Sequence, residues 1–277
     1  MTNLAARTLT VVLGVPAVVC LLILLPWYNH LAFAAFCVIC VCIGAFEMDR
    51  LLYGRGHGAA VFSGLAPAFT YLELMFFSPA LGLGEVYAAV LALGWMMIRI
   101  GRDRQDYTVS LGNCAKVALG VFYPGYLGCF IIRILALETP ERSGGWLLLY
   151  MLLLVFANDI FAYVFGMLLG KGHGGVVPVS PKKSIQGFAG GALMAVCLSI
   201  VLSLTLYDGI SPAAAAVLGL GVAISADAGD LLESLFKRSA GVKDSGNCVP
   251  GRGGILDCLD SVLATAPLFY LLLEVVL

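Results

Sequence analysis

The chain reads as an all-α polytopic integral membrane protein, with about nine transmembrane helices around a polar cavity that opens to the cytoplasm. Three observations predict this. Of its 277 residues, 61% are hydrophobic and 12% charged, against roughly 45–50% and about 25% in soluble domains. The apolar residues form nine runs near the ~20 residues needed to cross a hydrocarbon core, without the period-two alternation of barrel strands. Lys and Arg gather on alternate connections between the runs, as in a chain that crosses a bilayer repeatedly.

The first run, 8–26, follows Arg7 and continues too far for a cleaved signal peptide, with no clear cleavage site, so it is expected to be retained. The second, 31–46, is short and precedes Arg50 and Arg55. Runs three and four, 59–79 and 84–98, are joined by a connection without Lys or Arg, and Arg99, Arg102, Arg104 and Lys116 follow. The fifth, 117–137, contains Arg133, and the sixth, 145–169, leads to Lys171, Lys182 and Lys183. Runs seven and eight, 188–206 and 211–226, precede Lys237, Arg238, Lys243 and Arg252, and 261–277 closes the chain. Fourteen cations thus fall on one side and Arg142 alone on the other, which places the N-terminus and every charged loop in the cytoplasm and the C-terminus outside. A single membrane domain, 1–277, is expected: 1–144 carries spans one to five, and 145–277 the catalytic spans six to nine with their loops.

Six of the nine cysteines lie within apolar runs, where Cys packs as a small hydrophobe. Cys248 and Cys258 lie in the last charged loop, but their wide spacing and lack of a nearby His argue against a zinc site. No internal repeat is visible, which disfavours an inverted-repeat transporter.

Charge beside hydrocarbon is expensive, so chemistry is sought where it occurs. Asn158 and Asp159 sit deep in span six, in FANDIFAY. Two readings stay open: an interhelical bond, with Arg133 as one partner, or the floor of a polar cavity. After span six come GKGHGG and then SPKKSIQGFAGG, in which Ser180, Lys182, Lys183 and Ser184 precede a glycine-rich helix start. Point cations beside free backbone N–H groups suit phosphate, and contact with anionic lipid headgroups is the other reading.

The richest segment runs from Gly229 to Ser261, GDLLESLFKRSAGVKDSGNCVPGRGGILDCLDS. Asp230, Glu233, Asp244, Asp257 and Asp260 offer the hard oxygen donors that Mg2+ takes, interleaved with Lys237, Arg238, Lys243 and Arg252. Asp257 and Asp260 are three apart, so on a helix they share a face, and Asp227 and Asp230 repeat the spacing. Acids that hold a metal, beside bases that neutralise a polyphosphate, suit phosphoryl or nucleotidyl transfer.

This segment closely resembles the signature of the phosphatidate cytidylyltransferases, or CDP-diacylglycerol synthases, in which K-R, K-D-S, P-G-H-G-G and D-R-x-D follow one another at these spacings. SPKKSIQG is similar to the family's S-P-K-K-T-x-E-G, and NDIFAYVFGMLLGK to its D-x-x-A-Y-x-x-G-x-x-x-G-K. The likeness covers residues 155–265 at the level of motifs. Arg252 stands where the family has His, Cys258 where it has Arg, Ser184 and Gln186 where it has Thr and Glu, and Met167 where Arg is usual.

The resemblance implies cytidylyl transfer from CTP to phosphatidic acid, with Mg2+, alone or beside a second cation. In that expectation Asp230, Asp257 and Asp260 hold the metal; Lys182, Lys183, Lys237, Arg238 and Lys243 grip phosphates; and Asp244 orients a lysine or the second ion. Asn158, Asp159, Ser180, Ser184, Arg252, Gly253 and Gly254 complete the substrate site. The expected partners are CTP, phosphatidic acid and the bilayer of the inner (plasma) membrane, with a homodimer allowed and no nucleic acid. The rivals are a related CTP transferase or lipid kinase acting on an isoprenoid lipid, an ion-coupled transporter using Asp159, and an inactive lipid-binding relative.

Overall fold

The computed structural model of the chain describes residues 3–54, 56, 58–77, 81–102, 107–137, 143–170, 177–207 and 209–277, without the side chains of 3–9, 11, 58, 59 and 102. Arg55, Arg104, Arg142, Lys171 and the rest of the GKGHGG run past Gly170 lie outside the described residues, as do the side chains of Arg7 and Arg102. Among the described residues there is no β-strand. The helices are Asn3–Ile23 (α1), Trp27–Tyr53 (α2), Ala66–Phe76 (α3, after a 3-10 helix from Gly58), Leu83–Arg102 (α4), Tyr107–Val121 (α5), Leu127–Leu135 (α6), Gly144–Leu169 (α7), Ile185–Thr205 (α8), Pro212–Ser239 (α9) and Leu256–Val276 (α10).

Among the described residues, seven helical segments are long and apolar enough to cross a membrane: Trp27–Tyr53, Leu83–Gly101, Tyr107–Leu135, Gly144–Leu169, Ile185–Thr205, Pro212–Ser239 and Leu256–Val276. Two shorter apolar helices, Val12–Ile23 and Ala60–Phe76, occupy the first and third expected spans. The chain is an all-α polytopic membrane protein. The fifth segment begins earlier than hydropathy suggests, so Lys116 lies within α5, with its Nζ 5.3 Å from the centre of the Tyr53 ring. A π-helical turn, Phe122–Tyr126, interrupts this segment around Pro124, whose ring blocks a regular turn and removes an N–H donor. Helix α9 runs past the apolar stretch to Ser239 because its charges recur at helical spacing, with Glu233 paired to Lys237 one turn on.

The described contacts cluster into two units. The first comprises Met1–Arg133 and Asp244–Cys258, so the loop after α9 folds onto the N-terminal helices. Its clearest polar contact is that of Arg133. The guanidinium donates to both oxygens of Glu85, at 2.5 and 3.0 Å, and lies 3.6 Å from Glu73. Glu73 is fully buried and accepts the N–H groups of Gly82 and Leu83, at 2.7 and 2.6 Å, at the positive start of α4. The partner shown for Arg133 is therefore Glu85, where the sequence left Asp159 open. Arg133→Met, which strands two acids, is expected to destabilise the folded protein in detergent by about 3 kcal/mol; unfolding at the wild-type temperature would show the cluster to be dispensable.

The second unit comprises Ile134–Lys243 and Leu259–Leu277. Helix α8 buries Gly187, Gly190, Gly191, Ala195, Ser199 and Ser203 along one face, a stripe of small residues that lets neighbouring helices approach where lipid supplies no hydrophobic drive. Polar groups tie the same helices together. The Tyr150 hydroxyl on α7 lies 2.6 Å from Ser199 Oγ on α8, and Ser225 on α9 donates to Thr265 on α10 at 3.3 Å.

Candidate active site

In the second unit, α9 and α10 approach closely at Gly229, where a Cβ would lie 2.6 Å from both Ala264 Cβ and the Asp260 carbonyl. Only glycine permits that approach. It brings Asp230 and Glu233, three apart on one face of α9, to Asp260 on α10, and one carboxylate oxygen from each lies within 4.8 Å of the others. Three carboxylates so close repel one another unless cations intervene. Two lysines do. Lys183 Nζ is 2.6 Å from Asp230 Oδ2, and Lys237 pairs with the fully buried Glu233.

Lys183 owes its place to the turn that starts α8. Ser180 accepts the Lys183 N–H at 3.1 Å, and buried Ser184 caps the helix by accepting the Gly187 N–H at 3.2 Å. The Ser184 hydroxyl thus serves as a helix cap. Lys183 Nζ also lies 5.2 Å from the centre of the Phe188 ring, while Lys182 is exposed. On α7, buried Asn158 donates to Asp227 at 3.2 Å, and adjacent Asp159 is exposed. Arg238 donates to the Val242 carbonyl at 3.2 Å and closes the end of α9, and Lys243 is exposed.

In the first unit, Asp244 and Arg252 are exposed on the loop that leads to α10. Its turn is made by the backbone: Arg252 and Gly253 donate to the Val249 carbonyl, and Val249 to that of Gly253. Gly253 has φ +112, and a Cβ there would run into Asp257 Oδ2. That oxygen accepts from Ser245 N, Ser245 Oγ and Gly254 N, at 2.9, 3.0 and 2.7 Å.

The structure thus gathers Asp230, Glu233, Asp260, Lys183 and Lys237, and shows Asp257 aimed by its own loop. Glu233 was among the acids noted in the sequence but absent from the expected metal set, although its three-residue spacing from Asp230 was the available signal. Glu47 was missed altogether. It stands just past the second apolar run, yet it is 2% exposed and contacts Ser245, Ile255 and Leu256.

A model of the cytidylyltransferase family matches residues 5–276. The phosphatidate cytidylyltransferase of Synechocystis sp. is 30% identical over 288 residues, covering 95% of this chain and 94% of its own. That of Mycobacterium bovis is 34% identical over 184 residues, 66% of this chain and 59% of its own. That of Bacillus subtilis is 34% identical over 167 residues, 60% of each chain. Carrying the carboxylates and lysines of the signature and matching the family along nearly its whole length, the chain belongs to the cytidylyltransferase family and is a membrane-embedded nucleotidyltransferase.

Proposed function

We propose that this chain transfers the cytidylyl group of CTP to phosphatidic acid, forming CDP-diacylglycerol and pyrophosphate, at a cytoplasm-facing site in the plasma membrane. The observation that carries the reading is the acid cluster with a lysine on two of its members, in a chain similar to proteins named phosphatidate cytidylyltransferase. Hard carboxylate oxygens grouped this closely fit Mg2+. Asp230 and Asp260 would hold it, with Glu233 beside them and Asp257 three residues before Asp260 on α10. A carboxylate already aimed by three donors, as in Asp257, is the usual state of a metal ligand. Bound there, Mg2+ supplies charge for the triphosphate oxygens.

A phosphate oxygen of phosphatidic acid attacks the α-phosphorus of CTP, the bond to the β-phosphate oxygen breaks, and pyrophosphate leaves with that electron pair. Both reactants are anions, so repulsion and misalignment make up much of the barrier. Lys183 and Lys237 neutralise phosphate oxygens at the cluster, and exposed Lys182, Lys243 and Arg252 draw in the lipid headgroup or the nucleotide. The lipid phosphate is already largely ionised near neutral pH, so no general base is required. The acyl chains stay in the bilayer, and CTP arrives from the cytoplasm.

The deciding experiment incubates purified protein with labelled CTP, phosphatidic acid and Mg2+, omitting each in turn. Labelled CDP-diacylglycerol should form only in the complete mixture, and its absence there would overturn the proposal. Arg252 gives a finer test. Its side chain is exposed and the turn is held by backbone, so Arg252→His should retain activity while introducing a titration between pH 5 and 8, the range in which an ordinary His ionises and Arg does not. A wild type without product, under conditions where the Arg252→His, Cys258→Arg double variant is active, would make this chain an inactive relative.

A further inference from the structure

We propose that Glu47 is a positioning residue for this reaction: from α2 it anchors the loop 244–256 and, through Ser245, fixes the carboxylate of Asp257. This rests on the reading of Asp257 as part of the Mg2+ site.

A carboxylate 2% exposed on an apolar helix costs several kcal/mol unless donors meet it. Glu47 is met on both oxygens. Oε1 accepts the Ile255 N–H at 3.1 Å, and Oε2 accepts the Leu256 N–H at 2.8 Å and the Ser245 hydroxyl at 3.0 Å. The glycines beside it leave the required room. A Cβ on Gly246 or Gly254 would strike the Glu47 carboxylate, and one on Gly254 would also strike Ser245 Oγ.

Ser245 links the two acids. Its Oγ lies 3.0 Å from Glu47 Oε2 and 3.0 Å from Asp257 Oδ2. A hydroxyl has one proton, so the carboxylates share it. Further donors are the N–H groups of Ser245, Gly254, Ile255 and Leu256, the last being the first residue of α10 and the two before it leading into that helix, where the helix field favours negative charge. Of the paired glycines of the signature, Gly254 thus gives its N–H group to Asp257, while that of Gly253 closes the turn on the Val249 carbonyl. Glu47 holds the loop, and the loop holds Asp257.

The test uses the full chain in detergent, with Mn2+ as the metal probe. Glu47→Gln turns one acceptor into a donor facing an N–H group, which displaces the loop. Half-saturation by Mn2+, followed by electron paramagnetic resonance, should rise and kcat should fall, each on the order of 10-fold to 100-fold, the usual effect of losing such an outer partner. KM for CTP should stay within about twofold, because the change acts on the metal rather than on ground-state binding. Ser245→Ala should act in the same direction, and the double variant should be no worse than Glu47→Gln, since the two residues act in one chain. A Glu47→Gln protein that melts earlier yet matches wild type in Mn2+ binding and kcat would overturn the proposal. Should Glu47→Gln not fold, Ser245→Ala decides by the same two readouts. An active wild type with an indifferent Glu47→Gln removes only this inference. A wild type that binds Mn2+, weakly after Glu47→Gln, but makes no lipid product removes only the CTP and phosphatidic acid reading. A wild type that binds no Mn2+ overturns both.

Discussion

Asp230→Asn and Asp260→Asn should each slow CDP-diacylglycerol formation on the order of a thousandfold, equivalent to about 4 kcal/mol of lost transition-state stabilisation at a metal. Both residues belong to the group whose carboxylate oxygens lie within 4.8 Å of one another. Asn keeps the shape and removes the charge, so the helices should pack unchanged. Without metal Asp260→Asn should melt no earlier than wild type, because one of three neighbouring carboxylates has gone, whereas Asp230→Asn also gives up the pair with Lys183 and should melt slightly earlier. Stabilisation by added Mg2+ should disappear in both. The paired change, loss of metal response without loss of fold, distinguishes a metal ligand from a packing residue. Activity within about tenfold of wild type would sink the assignment, since a lost ligand charge is worth several kcal/mol. Asp257→Asn should also slow turnover; an effect limited to thermal stability would confine Asp257 to the loop.

Much of this was legible in the sequence because membrane spans follow a simple rule. About 20 apolar residues are needed to cross, and the nine apolar runs each correspond to a helix or a pair of joined helices. The rule fails where charges lie on a helix. Residues 227–239 look like a loop to hydropathy, yet they continue α9 because Asp230, Glu233 and Lys237 recur at spacings of three and four. Lys116 was placed in a connection for the same reason and lies inside α5. The carboxylates of the signature could be named because their spacing on two short segments is local. Glu47 could not, since its partner Ser245 is 198 residues away and nothing in the local pattern marks the pairing. Arg133 was ambiguous likewise: an isolated cation in a span demands an acid without saying which, and the answer, Glu85, lies 48 residues earlier. Ser184 shows the opposite case, a hydroxyl whose structural task, capping α8, depends only on a backbone N–H three residues on.

The adjacent lysines illustrate what only three dimensions separate, and they support the remaining large expectation. Lys183 Nζ sits 2.6 Å from Asp230, whereas Lys182 is exposed. Lys183→Ala should lower kcat/KM for CTP on the order of 100-fold, the loss of one phosphate-neutralising charge beside the metal, worth about 3 kcal/mol. Metal binding should change in the opposite sense. Without substrate, the ammonium of Lys183 competes with a cation for Asp230, so its removal should tighten Mn2+ binding while turnover falls. No general loss of folding produces that combination. Lys182→Ala should leave Mn2+ binding unchanged and raise KM for phosphatidic acid by several-fold, the scale of one solvent-exposed charge. Equal, small effects of both variants on both substrates, with metal affinity untouched, would return the pair to ordinary contact with anionic lipid. Tighter metal binding with slower transfer in Lys183→Ala alone would place that lysine between the acid cluster and the nucleotide.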